Sequence, residues 1–139
     1  MWIYLKWTRV CTMMNKNVQG LCARLKEEVI HLIDDLMEIL PGETDIMAAR
    51  MYFEFKSPEK IMEGFCKYVL PNNTRIMNRD ESYFTQNDTI FGDLPKDKVR
   101  HFKNLFEPNN PQVTQDDKDV IWQYFEVFVK LAATYEKLI

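Results

Sequence analysis

The last long segment of the chain, residues 114–138, constrains the fold more than any other part of the sequence. Thr114 with Asp117 three residues later is typical of an N-terminal capping box. Apolar residues then recur with the 3.6-residue period of a helix that has one wide buried face. They are Val120, Ile121, Tyr124, Val127, Phe128, Leu131, Tyr135 and Leu138. The segment therefore predicts a long C-terminal helix.

Three further apolar side chains of this helix, Trp122, Phe125 and Val129, fall outside that stripe. A helix that is apolar on most sides is normally central in its domain or in an assembly. We expect that Trp122 and Phe125 cannot both be buried within a monomer. Trp122, Phe125 and Val129 are therefore the predicted protein-interaction residues, and a homo-oligomer is the expected state.

Composition limits the class of protein. A length of 139 residues suits one domain with a core of its own. The 46% hydrophobic and 13% aromatic content argues against disorder. A net charge of −3 gives no global attraction to nucleic acid or to anionic membranes. No apolar run approaches the roughly 20 residues that a membrane-spanning helix needs, so no membrane contact is expected.

The remaining segments also favour helices. Residues 17–40 keep an unbroken 4-3 spacing of apolar positions, which predicts a first long helix ended by Pro41-Gly42. Thr44 or Asp45 restarts a second helix, and Ser57-Pro58 is a typical N-cap with proline at the first position of a third. Residues 72–94 are irregular but carry apolar side chains, which indicates a packed loop or short helices.

The predicted fold is all-α: a single irregular bundle of about five to six helices, with two long helices near the chain ends that pack together. Residues 1–13 are interpreted as an N-terminal aromatic extension, ambiguous between strand and helix, and residues 14–139 as a single helical domain. Three cysteines at positions 11, 22 and 66 suggest neither a disulfide framework nor a zinc site. With no signal peptide recognisable, an intracellular, cytoplasmic location is expected.

Candidate catalytic groups are few. Glu28 and His31 form an E-x-x-H pair on one predicted helix, as in di-iron bundles, but the second pair that such a site needs is missing. The simpler interpretation is that Glu28 belongs to an acidic, solvent-exposed face of this helix, on which His31 pairs with Asp35 four residues later. No phosphate-binding loop or nucleophile motif occurs. The prediction is a protein without enzyme activity, cofactor or metal.

One basic face is notable. Leu94-Pro95 is expected to start a short amphipathic helix on which Lys96, Lys98, Arg100 and Lys103 cluster. Such a face can meet phosphates, which makes a nucleic-acid-associated accessory factor the alternative function. No aromatic residues interleave with these cations, so nucleic acid is the less favoured partner.

The C-terminal third carries a further pattern: Leu105-Phe106, then Asn109-Asn110, then the I-W-x-Y segment within residues 118–131. This pattern, over residues 96–138, resembles small uncharacterised helical proteins of the nucleocytoplasmic large DNA (giant) viruses. The resemblance implies a virus-encoded protein that works in the host cytoplasm or is packaged in the virion, and it supplies no catalytic residues. The expected function is a non-enzymatic helical module for protein–protein interaction or structure.

Overall fold

The structure is a computed structural model. It describes the backbone of residues 2–87, 89–90, 94, 106 and 110–139, and the side chains of residues 17–87, 89–90, 94, 106 and 110–139. Within these residues the regular elements are helical and no strand occurs, which confirms the predicted all-α fold with long helices at both ends. The helices are α1 (Trp2–Ile39), α2 (Thr44–Phe55), α3 (Pro58–Tyr68), α4 (Asn73–Met77), α5 (Ser82–Thr85) and α6 (Gln115–Leu138), with a 3₁₀ turn at Leu70–Asn72.

Helix α1 starts at Trp2, fifteen residues before the predicted start at 17. Residues 2–19 contain neither glycine nor proline, and the asparagines at 15 and 17 cost a helix only a few tenths of a kcal/mol each. Extending an existing helix avoids a second nucleation step, so the polar stretch does not interrupt it. The predicted end is confirmed, because Gly42 adopts a left-handed conformation with φ of 82° just after the helix.

The ends of α2 and α3 are fixed by side chains. Lys26 of α1 donates hydrogen bonds from its ammonium group to the carbonyl oxygens of Glu54 (2.8 Å) and Lys56 (3.0 Å). These bonds occupy two of the carbonyls that the end of α2 leaves without a helical partner. At α3, the hydroxyl of Ser57 accepts a hydrogen bond from the backbone N–H of Lys60, which confirms the predicted N-cap.

Helix α6 begins with the predicted capping box. The Thr114 hydroxyl accepts a hydrogen bond from the Asp117 N–H (3.1 Å), and the Asp117 carboxylate accepts one from the Thr114 N–H (3.0 Å). Asp116 and Asp117 also place negative charge in the first turn, where the helix dipole favours it. Local sequence therefore determines where α6 starts.

Replacing Thr114 with alanine is expected to lower the free energy of unfolding by about 1 kcal/mol, because one N–H of the first turn loses its acceptor. Thr114→Ser is the matched control, since serine keeps the capping oxygen and should stay within a few tenths of a kcal/mol of the wild type. Urea unfolding followed by circular dichroism measures both variants. Equal losses in the two would show that the hydroxyl does not cap the helix.

Helices α1 and α6 pack together, as predicted. They run in opposite directions, because Asp35 of α1 contacts Tyr124 and Leu21 lies near Leu138. Helix α3 packs against both of them, and α2 packs chiefly against α1. The 3₁₀ turn and α4 lie against α6 as well. The long helix α6 is therefore covered on several sides, whereas α2 lies at the edge of the bundle.

The expectation that Trp122 and Phe125 cannot both be buried in a monomer is wrong. Trp122 is 3% exposed and Phe125 is fully buried within the single chain. Phe84 of α5 stacks on Phe106 with ring centroids 4.2 Å apart. The Phe84 ring also meets Trp122 at 4.8 Å and Phe125 at 5.1 Å. Phe84 and Phe106 thus cover the side of α6 that carries Trp122 and Phe125, which lies outside the predicted apolar stripe.

The buried face of α6 is consequently rotated from the predicted one. Its buried residues are Ile121, Trp122, Phe125, Phe128, Val129, Leu131 and Ala132. Val120 is instead 40% exposed, and Tyr124, Val127, Tyr135 and Leu138 are only partly buried. When a helix is apolar on most sides, its sequence allows more than one choice of buried face, and the neighbouring elements determine which face is buried.

Candidate interaction surface

The three residues predicted to contact a partner have little surface to offer. Trp122, Phe125 and Val129 are 3%, 0% and 7% exposed within the folded chain. Their side chains belong to the core cluster instead.

The predicted basic face lies outside the described residues. This holds for all four of its members: Lys96, Lys98, Arg100 and Lys103. The alternative nucleic-acid function therefore stays a prediction.

Asp35, on the acidic face of α1, accepts a hydrogen bond from α6. The Tyr124 hydroxyl donates to the Asp35 carboxylate at 2.7 Å, and partial burial together with this bond raises the pKa of Tyr124. Asp35, expected to pair with His31, is thus used between helices, and His31 is exposed. Among the described residues, no three His, Cys, Asp or Glu side chains form a group that could hold a metal ion.

A shallow groove runs beside this hydrogen bond. Its lining residues are Glu28, Val120, Gln123, Tyr124 and Val127. The groove combines a carboxylate, an amide and aliphatic side chains, which suits contact with another surface better than acid–base chemistry. Of its two aliphatic residues, Val127 is partly buried and Val120 is 40% exposed, so the groove exposes less apolar side chain than helix α2 does.

The described cysteines are poor nucleophiles. Burial is the main cause of a raised pKa at both thiols. The pKa of Cys22 lies above its ordinary value, and that of Cys66 is raised to about 11. Both side chains are thiols rather than disulfides, and the Cys66 Sγ lies 3.7 Å from the Ala132 carbonyl oxygen. At neutral pH both remain protonated, whereas the thiolate is the reactive form. They act as small apolar side chains of the core.

Helix α2 carries the clearest exposed apolar surface. Met47, Met51 and Phe55 are 54%, 59% and 83% exposed. Their spacing of four residues places all three along one side of the helix, and we name this set the α2 stripe. The opposite side of the helix, with Ile46 and Phe53, is buried against α1.

Polar side chains beside the α2 stripe connect α2 to α1. The Arg50 guanidinium donates to the Asp34 carboxylate at 2.7 Å and to the Glu54 carboxylate at 3.0 Å. Because these groups are one third to one half exposed, the ion pairs contribute little to overall stability. The Arg50–Asp34 pair and the Lys26 bonds at the helix end join α2 to α1 and so orient the stripe towards solvent.

The sequence did contain a signal for this surface. Eight of the twelve residues of α2 are apolar: Ile46, Met47, Ala48, Ala49, Met51, Tyr52, Phe53 and Phe55. Helix α6 is likewise apolar on most of its sides. The two helices differ in their neighbours, because α6 is covered on several sides and α2 chiefly on one.

Comparison with protein-family models, with curated proteins and with solved structures gives no match for this chain. None of the helices in the described part of the chain is long and apolar enough to cross a membrane.

Proposed function

We propose that the protein is a non-enzymatic interaction module that contacts a protein partner through the α2 stripe. The observation that carries this proposal is the exposure, between 54% and 83%, of three large apolar side chains along one helix face. Single exposed apolar residues are ordinary on protein surfaces, but a contiguous set on one element is typical of a contact site. The resemblance to giant-virus proteins supports a structural role in the virion as the finer form of this proposal.

The chemistry of the α2 stripe suits this role. Fully burying a Met or Phe side chain contributes roughly 1.5–3 kcal/mol relative to leaving it exposed. Phe55 can serve as an aromatic anchor, since large aromatic side chains carry much of the energy of many interfaces. Met47 and Met51 are flexible and polarisable, and they adapt their shape to a partner.

Site-specific photo-crosslinking tests the proposal. A photoreactive phenylalanine analogue in place of Met51 is expected to give a discrete protein adduct in cells that make the full chain. The same analogue in place of Glu63, an exposed residue of α3, is the matched control and should give no such adduct. A second substitution, Phe55→Ser, should abolish the adduct formed at position 51, because it removes the anchor and leaves the photoreactive group in place.

Two outcomes contradict the proposal. One is that position 51 gives no discrete adduct above the level at position 63. The other is an adduct at position 51 that persists unchanged with Phe55→Ser, which would mean that the stripe does not make the contact.

A further inference from the structure

We infer that the α2 stripe is covered by the α2 stripe of a second copy of this chain, with the two helices antiparallel about a two-fold axis at Met51. This inference rests on the proposed function and names its partner.

The apolar residues are spaced symmetrically about Met51. Met47 and Phe55 lie four residues on either side of it, about 6 Å along the helix axis in each direction. A two-fold axis at Met51 therefore places Met51 of one copy against Met51 of the other. It also places Met47 of each copy against Phe55 of the other. Methionine sulfur on an aromatic ring is a favourable contact, and the unbranched Met side chain can fill the space beside the ring.

The charges on one flank of the helix are also complementary in this arrangement. Asp45 and Tyr52 are seven residues apart, two helical turns, and so share a flank. Lys56 lies on the same flank, because its ammonium group donates to the Tyr52 hydroxyl at 2.8 Å and lies 4.9 Å from the centre of that ring.

Asp45 lies six residues before Met51 and Lys56 lies five residues after it. A two-fold axis with antiparallel helices brings the same flank of both copies together, so that Lys56 of one copy meets Asp45 of the other. A parallel pair about a two-fold axis would instead bring opposite flanks of the two helices together, so Lys56 of one copy would not meet Asp45 of the other. Antiparallel helices also set the positive end of one helix dipole beside the negative end of the other.

The size of the surface sets the expected strength. A stable interface buries about 800 Å² on each partner. Helix α2 has 12 residues, a length of about 18 Å, and three strongly exposed apolar side chains, which is less than such an interface. The dimer is therefore expected to be weak and to depend on protein concentration.

Analytical ultracentrifugation of the full chain over a range of concentrations tests the inference. The wild type is expected to shift from monomer towards dimer as concentration rises, and Met51→Glu is expected to stay monomeric because it places two carboxylates at the two-fold axis. Met77→Glu is the matched control: Met77 is 49% exposed on α4, outside the stripe, and its variant should dimerise like the wild type. Circular dichroism verifies that each variant is folded.

Cysteine cross-linking under mild oxidation tests the geometry in a chain that carries Cys11→Ser and Cys66→Ser. Met51→Cys is expected to form a disulfide with its own copy, since facing helices 8–10 Å apart bring the two Cβ atoms within reach. Met47→Cys and Phe55→Cys should cross-link efficiently only when the two variants are mixed. Efficient self-linking of Met47→Cys would indicate parallel helices and would overturn the inferred arrangement.

The two proposals fail in different ways. A chain that remains monomeric at every concentration, or a dimer that survives Met51→Glu, overturns the second-copy inference. If a stripe-dependent photo-adduct then contains a different protein, the proposed function stands and a foreign partner covers α2. If no stripe-dependent adduct forms at all, both proposals are wrong.

Discussion

Replacing Phe125 with alanine is expected to lower the free energy of unfolding by about 3–5 kcal/mol. The Phe125 ring is fully buried and meets the rings of Phe84 and Phe128, each at a centroid distance of 5.1 Å, and of Tyr83 at 5.7 Å. Alanine would remove these edge-to-face contacts and leave a cavity in a core that cannot fully collapse around it. Since domains of this size are stable by only about 5–15 kcal/mol, the variant loses a large fraction of its stability.

Phe55→Ala is the matched control, because it removes the same side chain from a position that is 83% exposed. At concentrations where the chain is monomeric, its free energy of unfolding should remain within about 0.5 kcal/mol of the wild-type value. Urea unfolding followed by circular dichroism gives the two midpoints. A large loss for Phe55→Ala, or a small one for Phe125→Ala, would contradict the assignment of these residues to surface and core.

Local sequence was sufficient to predict three of the helix ends. The cap at Ser57, the capping box of Thr114 with Asp117 and the stop at Pro41-Gly42 each depend on hydrogen bonds or backbone preferences within about three residues. The early start of α1 was missed for a related reason. A polar stretch can cap a helix, but it does not end one when no glycine or proline interrupts the chain.

The choice of buried faces could not be made from periodicity alone. Helices α2 and α6 are both apolar on most sides. The sequence alone does not show which of the two helices is covered by neighbouring elements. Trp122 is buried because Phe84 and Phe106 reach it from distant parts of the chain. Likewise, Tyr124 and Asp35 form their hydrogen bond across 89 residues of sequence. The exposure of the α2 stripe likewise depends on which elements pack against α2, so the sequence indicates an apolar helix but not which of its faces stays exposed.

The second large effect is expected at alkaline pH and involves Tyr83. The Tyr83 side chain is fully buried, and its hydroxyl donates a hydrogen bond to the Ile90 carbonyl oxygen at 2.9 Å. Burial raises the pKa of Tyr83 well above its ordinary value. The native state therefore keeps this phenol protonated under conditions in which the unfolded chain has released the proton.

The sign of the pH effect follows from this difference. Below about pH 10, the ordinary pKa of tyrosine, both states are protonated and the free energy of unfolding does not depend on Tyr83 ionisation. Above that pH, the unfolded state binds fewer protons than the native state, so stability falls as pH rises. The loss from one tyrosine is about 1.4 kcal/mol per pH unit, or nearly 3 kcal/mol at pH 12. Partly buried Tyr124, whose pKa is also raised, adds to the slope.

Tyr83→Phe separates this effect from general alkaline unfolding. At pH 7 the variant is expected to lose about 1–3 kcal/mol, because the buried Ile90 carbonyl is left without its donor. Above pH 10 its stability should fall less steeply than that of the wild type, by about 1.4 kcal/mol per pH unit, so the two curves converge towards pH 11–12. Urea unfolding at intervals between pH 7 and pH 12 measures both curves. Parallel curves over this range would mean that the Tyr83 phenol ionises as readily in the native state as in the unfolded chain, which its burial and hydrogen bond oppose.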